Sequence, residues 1–276
     1  MNVIYRGMNR VQLDAAYNNT QAVADFPAVM QDFQTKSKAV YAKRKVLQDL
    51  AYHTMPATKF DYFPSGSENS PTFIFIHGGY WQNCKKEDFA FIASGILDAG
   101  INVILAEYTL APEASMTRIV QEIGLLLDFL QLHAAEFNLV PGKICLGGHS
   151  AGGHLTAMHL QHPVVSHAMP ISALVDLLPI SLCWLNDKLS LSPQEIEQFS
   201  PANHIHRAGV PAHIHVGGGE LSELIRHSKD LYARMHHVDT DVLYQEIGDD
   251  DHFSQLNEFQ REDGVLVQSL QTLFNR

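Results

Sequence analysis

The sequence predicts an α/β fold, a mostly parallel sheet with helices on both of its faces. Three observations lead there: short apolar runs of strand length recur along the chain, helix-like stretches separate them, and glycines follow several of the runs closely. Strands alternating with helices need crossover connections, which favour parallel pairing and cover both faces of the sheet. The chain has 276 residues, 46% of them hydrophobic, enough for a large core. A single α/β domain can reach about 250 residues or more, so one domain over 1–276 is expected.

The first 50 residues read as a polar helical segment. Within 29–50, Val29, Met30, Phe33, Val40 and Tyr41 fall at near-helical spacing among Lys and Gln. Extended pieces are expected around 50–55 and 60–63, ended by the turn-rich stretch 64–71. Thr72-Phe73-Ile74-Phe75-Ile76 is an apolar strand followed by a glycine loop. A helix over 87–99 should stop at Gly100. Further strands are expected at 103–106, 143–147, up to Ala173, 213–216 and 242–246, with helices over 116–137, 151–160 and 261–274. Residues 179–201 interrupt the alternation. They are expected to form a small cap over the sheet's carboxyl edge, where such folds place their ligands.

Composition excludes several classes of function. A formal net charge of -11 argues against nucleic acid, because phosphate binding needs a basic face. Cys84, Cys145 and Cys183 form no C-x-x-C pair, and so sparse an odd set suits reduced thiols in the cytoplasm. The stretch from Met1 to Met8 lacks a basic region leading into an apolar one, so no signal peptide is expected. No run of about 18 apolar residues is free of charges and turn residues, so no membrane partner is expected either. A small molecule is the expected partner.

Gly148-His149-Ser150-Ala151-Gly152 matches G-x-S-x-G and lies between a strand and a helix. This is the context of the nucleophile elbow of α/β-hydrolases, where small glycines permit a sharp turn that lifts the serine hydroxyl out of the sheet edge. The following helix N-terminus favours negative charge beside it. His77-Gly78-Gly79-Tyr80-Trp81 also follows a strand. Such a loop can aim backbone N–H groups at the oxygen of a tetrahedral intermediate. The N–H groups of Gly79, Tyr80 and Ala151 are the expected oxyanion donors, with His77 bracing the loop.

A serine needs a histidine to take its proton, and that histidine an acid to orient it, in the chain order Ser, acid, His. Of 16 histidines, His252 alone sits in a loop between the last strand and the final helix. His149 and His154 are too close in sequence to turn back on the serine. His204, His206, His213 and His215 form two H-x-H pairs that could share a metal, but no third ligand has convincing spacing, so no metal site is expected. The acid should follow the strand at 213–216. Glu220, in Gly217-Gly218-Gly219-Glu220, comes first, with Asp176 as rival and Asp249, Asp250 and Asp251 as a third choice.

With these residues in view, the chain resembles α/β-hydrolases of the arylformamidase (kynurenine formamidase) group. That group carries H-G-G-x-W where hormone-sensitive-lipase relatives carry H-G-G-G. Tyr108-Thr109-Leu110-Ala111-Pro112-Glu113, Asp176-Leu177-Leu178-Pro179-Ile180 and Ser200-Pro201 also match, so the similarity spans nearly the whole chain. The resemblance implies a Ser150–Glu220–His252 triad, hydrolysis of N-formylkynurenine to kynurenine and formate, and a homodimer. No metal or organic cofactor is implied. Glu220 departs from the usual Asp of relatives, and Thr109 stands where many lipase-like relatives have Arg. Trp81, Trp184 and Phe253, beside Tyr80, are candidates to line an aromatic pocket. The competing readings are a broad carboxylesterase on short acyl or aryl esters and a catalytically silent binding protein of the same fold.

Overall fold

The computed structural model describes residues 2–206, 209–238 and 240–275. Met1, which opens the N-terminal stretch read above, lies outside them. Strands β1 (Leu47–Ala51), β2 (Lys59–Phe63), β3 (Thr72–Ile76), β4 (Asn102–Ala106), β5 (Ile144–His149), β6 (His167–Ile171), β7 (Ala212–Gly217) and β8 (Val242–Ile247) form one sheet in the order β1-β2-β4-β3-β5-β6-β7-β8. β1, β2 and β4 pair antiparallel, and every other pairing is parallel.

Helices α1 (Arg10–Ala16), α2 (Asn19–Ala22) and α3 (Phe26–Lys43) precede the sheet. Then come α4 (Ala93–Asp98), α5 (Met116–Leu132), α6 (Ala151–Met158), α7 (Leu178–Ser181), α8 (Asn186–Leu189), α9 (Pro193–Gln198), α10 (Ser222–His237) and α11 (Val265–Phe274). Alternation along β3 shows how the layers form. Phe73 and Phe75 enter one apolar cluster with α3, α4 and α11, whereas Ile74 and Ile76 enter another with α5. Side chains two apart share a face, so each face of the strand feeds its own core. All five β3 residues are buried, and each large apolar side chain contributes about 1.5–3 kcal/mol.

Several boundaries differ from expectation for local reasons. The helix expected to Leu50 ends at Lys43, because Arg44 turns extended and 47–51 pairs with β2. Residues Lys86–Ile92 form a 3-10 helix before α4. α5 stops at Leu132, and Phe137 leaves the helix to pack against Phe60 and Tyr62 at 5.4 and 5.6 Å. β6 ends at Ile171, since Ser172 takes a φ of 49°. α11 begins only at Val265, after an extended Gly264.

Candidate active site

The carboxyl ends of β3, β5, β7 and β8 bring together the loops that carry the expected site residues. Ser150 has φ 58° and ψ -114°, a conformation that costs a non-glycine residue about 1–3 kcal/mol. It is held there by its N–H donating to Ile171 O at 2.8 Å and its carbonyl accepting from His154 N at 3.0 Å. Gly152 is required: a Cβ there would lie 1.9 Å from Ile76 O. The elbow is therefore sharp because β3 and α6 meet without a side chain between them.

In the loop after β3, Gly79, Tyr80 and Trp81 have φ of 103°, 52° and 58°. Among the described residues, the N–H groups of Gly79, Tyr80 and Ala151 donate to no protein acceptor. His77 braces this loop. Its Nδ1 lies 2.7 Å from Gly78 O and its Nε2 2.9 Å from Glu107 Oε1, two acceptors that only an imidazolium satisfies together. Burial opposes that charge, but the Glu107 carboxylate outweighs it and raises the His77 pKa. The ring stacks on Tyr108 at 4.6 Å.

His252 Nδ1 lies 2.6 Å from Glu220 Oε2, with both side chains buried. The N–H is thereby assigned to Nδ1, leaving Nε2 as the basic nitrogen. The glycines ahead of Glu220 account for its position: a Cβ on Gly218 would lie 2.0 Å from Gly248 O, so the loop after β7 rests directly on the loop before His252. Glu220 Oε1 is occupied separately. It accepts from Gly217 N at 2.9 Å, from Gln255 Nε2 at 2.6 Å and from Ser172 Oγ. Burial works to raise the Glu220 pKa, but His252 and these donors outweigh it and keep it below the usual carboxylate range. The longer arm of Glu thus meets the imidazole with one oxygen and a three-donor clamp with the other.

The rival acids are engaged elsewhere. Asp176 accepts from Tyr5 OH at 3.0 Å and Leu178 N at 2.9 Å. Asp251 accepts from Phe253 N and Ser254 N, both at 2.8 Å, shaping the turn beneath His252, and Asp250 accepts from Ser254 Oγ at 2.6 Å.

Sequence reasoning passed over three supporting residues. Ser172 and Gln255 form the clamp. His149 donates from Nε2 to His252 O at 2.8 Å, and its ring lies 4.4 Å from the His252 ring. Burial, then the neighbouring His252, lowers the His149 pKa to about 3, so this ring is neutral. His154 is also neutral and donates to Phe199 O at 2.7 Å. Of the H-x-H pairs, His213 and His215 are buried against Ser269 Oγ at 2.7 and 2.8 Å. His204 lies 3.0 Å from Glu197 O.

Ser150 and His252 line one cavity of about 360 Å³, together with Gly79, Tyr80 and Phe253. Its roof comes from an unexpected quarter. Asn19, Thr20, Phe26, Met30 and Gln34 of the N-terminal helices line it, whereas the 179–201 segment supplies Trp184. Tyr80 anchors the roof, donating to Tyr17 O at 2.7 Å and accepting from Asn19 Nδ2 at 2.9 Å. Trp81 is a correction to the aromatic-pocket expectation. It is fully buried off the cavity, its Nε1 donating to His154 Nδ1 at 3.3 Å. Thr109 binds Glu122 through both its N–H, at 2.7 Å, and its hydroxyl, at 3.0 Å.

Comparison with known proteins agrees with this architecture. The BD-FAE family model matches residues 61–163. The chain is 26% identical over 242 residues to the kynurenine formamidase of Danio rerio, covering 82% of this chain and 81% of that one. It is 26% identical over 243 residues to that of Salmo salar, with the same coverage of 82% and 81%. A candidate thioesterase from Silicibacter sp. superposes with a TM-score of 0.84 at 26% identity, over 94% of this chain and 99% of that chain. An esterase from Pyrobaculum calidifontis superposes with a TM-score of 0.74 at 16% identity, over 92% and 94%, a likeness that speaks to the fold. The chain has the α/β-hydrolase fold and is an enzyme similar to kynurenine formamidases and esterases. No helix among the described residues is long and apolar enough to cross a membrane.

Proposed function

We propose that this hydrolase cleaves an aryl-formamide bond, as in N-formylkynurenine, or a small ester bond through an acyl-serine intermediate. Ser150, Glu220 and His252 form its triad, and the N–H groups of Gly79, Tyr80 and Ala151 its oxyanion hole. One observation carries the reading: the 2.6 Å contact between His252 Nδ1 and Glu220 Oε2, on loops that meet at the cavity lined by Ser150. The chain acts as a single domain, with residues between Asn19 and Gln34 covering the site and Trp184 of the 179–201 segment at its side.

In the first half-reaction Ser150 Oγ attacks the formyl carbon while His252 Nε2 takes its proton. The oxyanion accepts hydrogen bonds from the backbone donors, which have no competing protein acceptor. His252 passes the proton to the aniline nitrogen as the C–N bond breaks, releasing the amine and leaving formyl-serine. Water then attacks the formyl-serine as His252 takes its proton. Return of that proton to Oγ releases formate. An aniline bearing an ortho carbonyl leaves more readily than an alkyl amine, so esterase machinery suffices. Buried Glu220 holds the Nδ1–H tautomer throughout and stabilises the imidazolium as it forms.

Turnover of N-formylkynurenine against p-nitrophenyl acetate tests the reading. Cleavage of both, with a fluorophosphonate adduct lost in Ser150→Ala, is expected. Cleavage of the ester alone leaves the broad carboxylesterase, which the apolar character of the cavity wall favours as second reading. Absence of a Ser150-dependent adduct would remove the catalytic assignment.

A further inference from the structure

What a substrate carries beyond its scissile bond must meet the cavity wall, and that wall has a definite electrical character. Phe26, Met30, Phe89, Trp184 and Phe253 line the cavity. Among the described residues Asp88 is the carboxylate that lines it: buried, and accepting from Gln34 Nε2 at 2.9 Å and Lys85 N at 3.1 Å. These partners satisfy its oxygens as hydrogen-bond acceptors. Among the described residues no lysine or arginine lines the cavity. Lys86 and Lys36, on the elements that carry lining residues, are committed elsewhere: Lys86 Nζ to Asp61 at 3.0 Å and Asp49 at 3.1 Å, and Lys36 to Asp32 at 2.6 Å. Two further titratable groups on the wall are neutral. Burial pushes the Cys84 thiol up to about 12, so it is protonated and neutral, and His149 is neutral for the reason given above.

A carboxylate entering this space would lose its water, find no counter-charge and face Asp88. Like charges brought together in a desolvated site cost several kcal/mol, and a buried charge without a partner costs more than its contacts return. An uncharged aromatic ring meets only favourable surface there.

We propose that the cavity selects substrates whose portion beyond the acyl group is an uncharged aryl group, with Asp88 discriminating against a carboxylate on that portion. This rests on the hydrolytic reading above. It narrows the preferred substrates to formanilides and aryl esters without a carboxylate on the ring.

The test compares matched pairs on the wild-type enzyme. In one pair, 4-formamidobenzoate and methyl 4-formamidobenzoate are followed by release of the free aniline. In the other, 4-acetoxybenzoate and methyl 4-acetoxybenzoate are followed by release of the phenol. The neutral member of each pair should have a kcat/KM about tenfold or more higher, chiefly through KM. Asp88→Asn should narrow both gaps. Equal or better turnover of the anionic members overturns the inference. Failure to cleave any of the four compounds sinks the hydrolytic reading itself and this inference with it. Cleavage that favours the anions sinks the charge selectivity alone.

Discussion

The floor of the cavity is made of strand ends where Glu220, His252 and His77 are held by directional hydrogen bonds, whereas its roof is made of helix faces that meet the cavity through side-chain surface. On the floor, Glu220 divides its two oxygens between His252 and a clamp of three donors, and His77 fills both ring nitrogens. On the roof, Phe26 lies against Phe253 at 5.1 Å, and Met30 and Gln34 follow at intervals of four along α3. Directional bonds fix atoms to the tolerance that proton transfer needs, whereas apolar surface fixes only shape. The floor should therefore govern rate and the roof binding.

The largest effect expected on this division is at Ser150. Ser150→Ala should lower kcat by about six powers of ten with the circular dichroism spectrum unchanged. A small loss would mean that the floor does not hold the nucleophile. Glu220→Ala should cost several-hundred-fold or more, towards the roughly four powers of ten that an orienting acid is worth. The same loss in Asp176→Ala alone would move the acid off the floor. Gln255→Leu should lower kcat about tenfold with KM unchanged, since it removes one donor of the clamp and leaves the dyad. A change in KM alone would put Gln255 with the roof.

The floor should also be sensitive to acid. His149 is neutral when folded, with a pKa of about 3, against about 6.5 in the unfolded chain. The unfolded state therefore binds the extra proton, and stability is lost as pH falls below about 6.5 towards the folded value. The limiting slope is about 1.4 kcal/mol per pH unit. His149→Gln keeps an N–H for His252 O but cannot titrate, so its urea midpoint should fall less between pH 7 and pH 5 than the wild type's. An equal fall would place the acid lability elsewhere. The smallest effect belongs to the roof. Phe26→Ala should raise KM about three- to tenfold through lost apolar surface, with kcat nearly unchanged. A fall in kcat instead would show the roof taking part in positioning.

The same division explains what could be read from the sequence. That Glu220 would meet His252 beside the cavity lined by Ser150 was legible because chemistry ties each to the loop after a particular strand. Ser172, Gln255 and His149 were not, because each acts through hydrogen bonds to another residue, and a single serine, glutamine or histidine has many uses. Trp81 misled because an aromatic beside two glycines looks the same whether it turns to the cavity or to the core. The roof left one faint trace. Phe26, Met30 and Gln34 form a stripe at i, i+4 and i+8, beside the stripe that buries Phe33 and Val40. Polar composition obscured it, so the covering role went to 179–201 instead. Among the elements, strands were placed best, since burial on both faces leaves an unbroken apolar run. Helix ends such as Leu132 depended on packing partners far along the chain.

The bond from the His149 ring to the backbone of His252 gives the variable position of the G-x-S-x-G pattern a job at long range. A transplant of the elbow into another scaffold, or a library that randomises residue 149 as a free spacer, would cut the strut between two loops separated by 103 positions. The elbow and the His252 loop are registered to each other through this cross-brace, so in directed evolution the two loops should be varied as one unit.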